Sequence, residues 1–205
     1  MNVAFILDSL FSAIKKAEIV CVVHYGNTTG GDIDLFVVIK NEAPYNTFRL
    51  GLLDITAICQ QALPVMLRHC DPLVTEPILT GTVIYGSHPL INRECINKVC
   101  DDFTPNYLMQ YARLFYGWAC LLVMENRMYE GVQTLGFAYS YVLYAVHYYK
   151  GGSLVTFSEI RRKDGSPIFQ VVRKAKHVEL SHVEIFTIFK CTNSYLTDFE
   201  KVLTF

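Results

Sequence analysis

The chain has 205 residues, 52% of them hydrophobic, with a formal net charge of −1 and an isoelectric point near 6.6. That length and apolar content suffice for one large or two small domains with cores of their own, and the near-neutral balance excludes a global field that recruits nucleic acid, so a polynucleotide partner is disfavoured. Seven cysteines, scattered without CxxC spacing, argue against a disulfide framework or a zinc site and for reduced thiols in a cytoplasmic protein.

No segment reads as an export signal or a membrane span. The apolar N-terminal portion carries Asp8, and the longest uncharged apolar stretch, residues 135–149, includes Gly136, Ser140 and His147. It falls short of the ~20 residues that cross a bilayer.

In chain order, Val3, Ile6, Leu7, Leu10, Phe11 and Ile14 recur at helical spacing and predict a helix covering one face of a sheet. The β-branched and aromatic runs 19–25 and 33–39, bounded by Gly26, Gly30 and Gly31, read as strand, tight loop, strand. A third run, 50–58, reads as one strand with Asp54 inside it, followed by a short helix within 57–70 that Pro64 bends or ends. Residues 82–85 predict a fourth strand. The character then changes, and a domain boundary falls near residue 101, dividing the chain into 1–100 and 101–205. Thr104 suits a helix N-cap and Pro105 a first helical position. A wide apolar stripe from Leu108 to Val123 predicts one long helix, with Gly131 at its end or at a bend. A second helix over 132–150 stops at Gly151-Gly152. Further turns of helix occupy 156–163 and 182–202, around an irregular turn at 164–167. The fold class expected is α+β: a mixed sheet with flanking helices, then a helical bundle.

The most informative stretch is His24-Tyr25-Gly26-Asn27-Thr28-Thr29-Gly30-Gly31-Asp32-Ile33-Asp34-Leu35. Alternation along a strand sends Asp32 and Asp34 to one face and Ile33 to the other. At ~4 Å and an effective dielectric near 20, two carboxylates repel by on the order of 4 kcal/mol, so the pair calls for a proton or a cation. Oxygen ligands point to magnesium, with manganese as a substitute. The glycines let backbone N–H groups crowd around an anion such as a phosphate. Asp54, set among apolar residues, needs a partner of its own, because an isolated buried charge is too costly.

Glycine turn, Asp-x-Asp and an isolated strand Asp together resemble the nucleotidyltransferase superfamily that includes DNA polymerase beta, in particular its minimal and aminoglycoside-modifying branches. The resemblance covers about the first hundred residues, including the helix before the motif and the later segment Thr75–Gly86. It implies that Asp32, Asp34 and Asp54 bind metal and carry catalysis, and that Gly26 and Asn27, with Gly30 and Gly31 in the same loop, hold a triphosphate. It further implies transfer of a nucleoside monophosphate from a nucleoside triphosphate, ATP foremost, to a hydroxyl of a small molecule, an RNA or a protein, with release of pyrophosphate. A nucleotide-binding, antitoxin-like or regulatory protein without turnover is the alternative, and a homodimer is compatible with either. Two departures stand out: Asn27 replaces the usual Ser, and the loop lacks an Arg-Gly pair. Lys40, Arg49 or the cluster Arg161, Arg162, Lys163 could meet the triphosphate charge, and the sequence does not choose among them.

Other residues carry two readings each. Asp-x-Asp after glycine is common in turns, and Asp54 could cap a helix. Tyr139, Tyr141, Tyr144, Tyr148 and Tyr149 could stack on a base, but aromatic stripes at helical spacing more often build a core. Glu125 and Glu130 could activate an acceptor, but read first as surface residues. His147 reads as structural, and His24, beside the glycine turn, has a better claim to chemistry. The basic tract Lys150, Arg161, Arg162, Lys163, Arg173, Lys174 and Lys176 is either a phosphate-binding face or a solvated one.

Overall fold

The computed structural model describes residues 3–26, 32–40, 46–89, 91, 104–175 and 180–203. The chain divides into two compact units, Met1–Asp101 and Asp102–Phe205.

The first unit is built on a five-stranded mixed sheet of β1 (Ile19–Tyr25), β2 (Ile33–Ile39), β3 (Asn46–Leu50), β4 (Leu53–Cys59) and β5 (Thr82–Gly86), in the order β3-β4-β2-β1-β5. β2 runs antiparallel to β1 and parallel to β4, while β3 and β5 are antiparallel edges. Helix α1 (Val3–Ala13) buries Ile6 and Leu10. These pack against Val22, Leu35, Val37, Leu53, Ile55 and Ala57, the alternate residues that the strands send to that side. Two further helices, α2 (Leu63–Arg68) and α3 (Pro72–Thr80), precede β5.

Residues 46–59 depart from the expectation of a single strand over 50–58. They form a hairpin, β3 and β4, whose two-residue loop is Gly51-Leu52, with Leu50 paired to Leu53. Gly51 has φ +60°, and Leu52 is not in the left-handed region, the combination a type II′ turn demands at its first central position. Asp54 therefore stands at the head of β4 rather than inside a long strand. Pro64 also behaves differently from expectation, lying in the first turn of α2 and opening the helix instead of ending it. Helix α3 overlaps the apolar segment 75–80 that precedes the fourth predicted strand. Asp71 starts it, accepting from the Leu73 N–H at 3.0 Å.

The second unit is helical: α4 (Thr104–Met124), α5 (Met128–Tyr149), α6 (Phe157–Lys163), α7 (Ile168–Lys174) and α8 (His182–Leu203). Its core joins Ala119, Val132, Leu135, Tyr139, Ile168, Phe169, Ile185 and Ile188. The chain breaks between α4 and α5 at Asn126, φ 62°. Gly131 is not that break. It is buried inside α5, where an added Cβ would lie 2.6 Å from Val123 Cγ2. Helix α7 lies where the sequence reading places only an irregular turn between the helices at 156–163 and 182–202. Sheet followed by bundle gives the α+β class expected.

Cys21, Cys59, Cys120 and Cys191 are free thiols. Cys70 is disulfide-bonded, which corrects the expectation that all the cysteines are reduced. No helix among the described residues is long and apolar enough to cross a membrane.

Candidate active site

Strand pairing alone assembles the site. The parallel ladder sets Asp34 of β2 beside Asp54 of β4. The antiparallel hairpin sets Arg49 of β3 beside Asp54, and the β1–β2 ladder sets Tyr25 beside Asp34. Residues paired across a ladder point to the same side of a sheet, so Tyr25, Asp34, Asp54 and Arg49 form one row across four strands. Neighbours in such a row stand ~5 Å apart at Cβ. Asp32, one residue before β2, projects to the same face by alternation.

Gly26 ends β1 with φ +77°, a conformation open to glycine. A Cβ on Gly26 would lie 2.3 Å from Asp34 Oδ2. The Asp34 carboxylate thus lies directly against the Gly26 backbone, and only a residue without a side chain admits it there. The remaining residues assigned to phosphate, Asn27, Gly30 and Gly31, lie outside the described residues.

Arg49 bridges the carboxylates. Its Nη2 pairs with Asp32 Oδ1, and its Nε lies 3.6 Å from Asp54 Oδ1. Nε also donates to the Gly51 carbonyl at 3.1 Å, fixing the side chain over the hairpin turn. The Arg49 side chain is 56% exposed, against 38% for Asp32 and 42% for Asp54. Arg49 partners Asp54, but Asp54 at the head of β4 is 42% exposed and not the buried charge that its apolar neighbours in sequence suggest. Of the basic residues proposed from sequence, Arg49 joins the carboxylates, and the spacing contains the reason: residues 49 and 54 are equidistant from the two-residue turn at 51–52, so a hairpin there pairs them.

Carboxylate oxygens are the right donor chemistry for a hard divalent cation, and Asp34 and Asp54 are adjacent. The third, Asp32, is held by Arg49, and among the described residues no group of three or more acidic, His or Cys side chains is arranged to hold a metal ion. The fit to magnesium or manganese is therefore one of donor type and of a neighbouring pair.

The other candidates fall elsewhere. His24 pairs with Leu35 in the ladder, so alternation sends it to the α1 side, opposite the carboxylate row. Its Nε2 is buried without a hydrogen-bond partner among the described residues, and burial, followed by a nearby positive charge, lowers its pKa. Lys40 donates to the Ala17 carbonyl at 2.9 Å. In the basic tract, Arg161 is turned inward: its guanidinium lies 5.0 Å from the ring centres of both Phe157 and Phe169 and donates to Ser140 Oγ at 3.3 Å. Lys174 pairs with Glu184 at 2.5 Å. Lys176 lies outside the described residues. Tyr139, Tyr141 and Tyr144 are fully buried, which makes them core. Glu125 and Glu130 are exposed and flank Arg127 at 3.8 and 3.4 Å. His147 Nε2 lies 2.7 Å from the Ser153 carbonyl, a local structural contact.

The first unit is thus a five-stranded mixed sheet with an acidic row at its strand heads, and the second unit is helical. No protein-family model and no curated protein matches the sequence, so the likeness is one of shape. The spectinomycin adenyltransferase AAD(9) from Enterococcus faecialis, crystallised with ATP and spectinomycin, superposes with a TM-score of 0.51 at 12% identity, over 96% of this chain and 100% of that one. A nucleotidyltransferase-like protein from Exiguobacterium sibiricum gives a TM-score of 0.42 at 12% identity, over 96% of this chain and 74% of that one. At such identity the likeness to the spectinomycin adenyltransferase establishes a shared fold alone.

Proposed function

We infer that the protein transfers a nucleoside monophosphate from a nucleoside triphosphate to an acceptor hydroxyl. The acceptor oxygen forms a bond to the α-phosphorus, the α–β phosphoanhydride breaks, and pyrophosphate leaves. The observation that carries this reading is the register of the parallel ladder, Asp34 beside Asp54, next to a glycine whose backbone touches the Asp34 carboxylate. A divalent cation, Mg2+ or Mn2+, supplies charge neutralisation on the phosphates and activation of the hydroxyl when bound. Asp34 and Asp54 supply its oxygen ligands, with Asp32 as the third once Arg49 releases it. Asp54 also accepts the acceptor proton, and the backbone around Gly26 and Asn27 receives the departing phosphates.

ATP is the favoured donor, and a small hydroxylated molecule the favoured acceptor. The support is the fold shared with an adenyltransferase crystallised with ATP and spectinomycin, whose whole length this chain spans. An RNA or protein acceptor uses the same chemistry and differs only in what docks beside the α-phosphate. The second reading, a nucleotide-binding regulator without turnover, draws on one observation: Arg49 already neutralises two of the three carboxylates.

Incubation of the purified protein with α-32P-labelled ATP, Mg2+ and a deproteinised small-molecule extract tests the reading. Label moving to a new species, with pyrophosphate released in equal amount, is the expected result. Label retained by the protein as intact ATP, with no transfer to small molecules, RNA or protein in whole extract, favours the regulator.

A further inference from the structure

We propose that Arg49 is the resident counter-ion of the carboxylate row and leaves it when a cation–nucleotide complex binds, which biases the site against a free cation and toward the loaded nucleotide. This rests on the transfer reading above.

One guanidinium reaches both Asp32 and Asp54, two of the three proposed ligands, and so occupies the electrostatic role that a divalent cation would take. A cation arriving alone must displace Arg49 and offers the released guanidinium nothing in return. A cation bound to a triphosphate brings phosphate oxygens, to which a planar, five-donor guanidinium donates in bidentate fashion. The exchange then swaps a carboxylate partner for a phosphate partner and leaves no charge stranded. The contact is also weak enough to be exchanged. All three side chains are between 38% and 56% exposed, and exposed pairs of this kind bias an equilibrium by no more than about fivefold each, or on the order of tenfold together. β3 is an edge strand in the described sheet, so the side chain can swing outward past no further strand once its Nε gives up the Gly51 carbonyl. No basic residue occurs between Gly26 and Asp32 in the sequence, and Arg49 supplies a phosphate ligand in place of one.

Electron paramagnetic resonance of Mn2+ tests this on wild-type, Arg49→Met, Arg49→Lys and Asp34→Asn proteins, each with and without α,β-methylene-ATP, corrected for Mn2+ held by the analogue in solution. Arg49→Met is expected to bind Mn2+ alone about tenfold more tightly than wild type, and the factor by which the analogue tightens Mn2+ binding is expected to shrink to match, since the coupling between the two ligands is reciprocal. Arg49→Lys keeps the charge without the fork and falls between the two; it also carries the comparison should the Met protein fail to fold by circular dichroism. Equal Mn2+ affinity in wild type and in the Arg49 variant, with loss in Asp34→Asn, overturns the role of Arg49 and leaves the carboxylate site standing. Mn2+ binding that is indifferent to Asp34→Asn, with or without the analogue, overturns the transfer reading and this proposal together.

Discussion

Asp34 is the residue on which geometry and chemistry meet. It shares a ladder position with Asp54 and rests on the Gly26 backbone. Replacing it with Asn keeps the shape and removes one charge from a crowded acidic row. Asp34→Asn is therefore expected to lower the transfer rate on the order of a hundredfold to a thousandfold, while the melting temperature stays level or rises because like-charge repulsion is relieved. A fall in melting temperature together with the rate would mark Asp34 as a structural residue. Gly26 makes the complementary test. Gly26→Ala places a Cβ in a left-handed backbone and against the Asp34 carboxylate, and is expected to destabilise by about 1–3 kcal/mol in urea denaturation. It should also reduce transfer beyond what the lost stability explains, since the carboxylate is pushed from its seat.

Among the elements, helix starts in the second unit show sequence acting locally. Thr156 Oγ1 accepts from the Glu159 N–H at 3.2 Å while the Glu159 carboxylate accepts from the Thr156 N–H at 2.8 Å. Ser181 and Glu184 repeat this reciprocal box at α8, at 3.3 and 2.9 Å. Both are legible in sequence as Ser/Thr-x-x-Glu. Lys174, then the Ser181 backbone and hydroxyl, hold the Glu184 carboxyl at about 2, well below its ordinary 4.5. A carboxyl with a depressed folded value stabilises fully above its unfolded value and loses that contribution as pH falls through the folded one. The melting temperature of wild type should exceed that of Glu184→Gln near pH 6, and the gap should close between about pH 4.5 and pH 2. A gap independent of pH would mean that the carboxylate charge plays no part. Arg161 shows the limit of such local reading: its basic tract reads either as a phosphate-binding face or as a solvated one, and two aromatic rings from α6 and α7 flank its guanidinium.

At the scale of the whole molecule, two cores made of different residues carry the two units. Leu35 is fully buried between sheet and α1, and Leu135 is fully buried in the helical unit. Leu35→Ala is expected to cost about 2–5 kcal/mol by lost burial and residual cavity, and to accelerate amide hydrogen exchange in β2 and β4. Exchange there at the wild-type rate would show that the sheet does not depend on this core. The carboxylate row sits at the heads of the strands this core supports, so the same variant should lower activity only in proportion to the fraction unfolded.

Periods of two and 3.6 and local turn chemistry make the α1 stripe, the β1 and β2 runs, the two long helices α4 and α5 and the shared face of Asp32 and Asp34 legible without coordinates. Which strands become neighbours is set by long-range packing. The parallel pairing of β2 with β4 is a contact between segments twenty residues apart, and no local preference records it. The hairpin at Gly51 is hidden for a related reason: the apolar run takes in Leu50, Gly51 and Leu52 as strand, and the mostly polar segment before it, Asn46–Leu50, gives no strand signal until it pairs with β4. From that bend comes the position of Arg49 beside Asp54, so the residue that governs the charge of the site was fixed by strand register rather than by any motif.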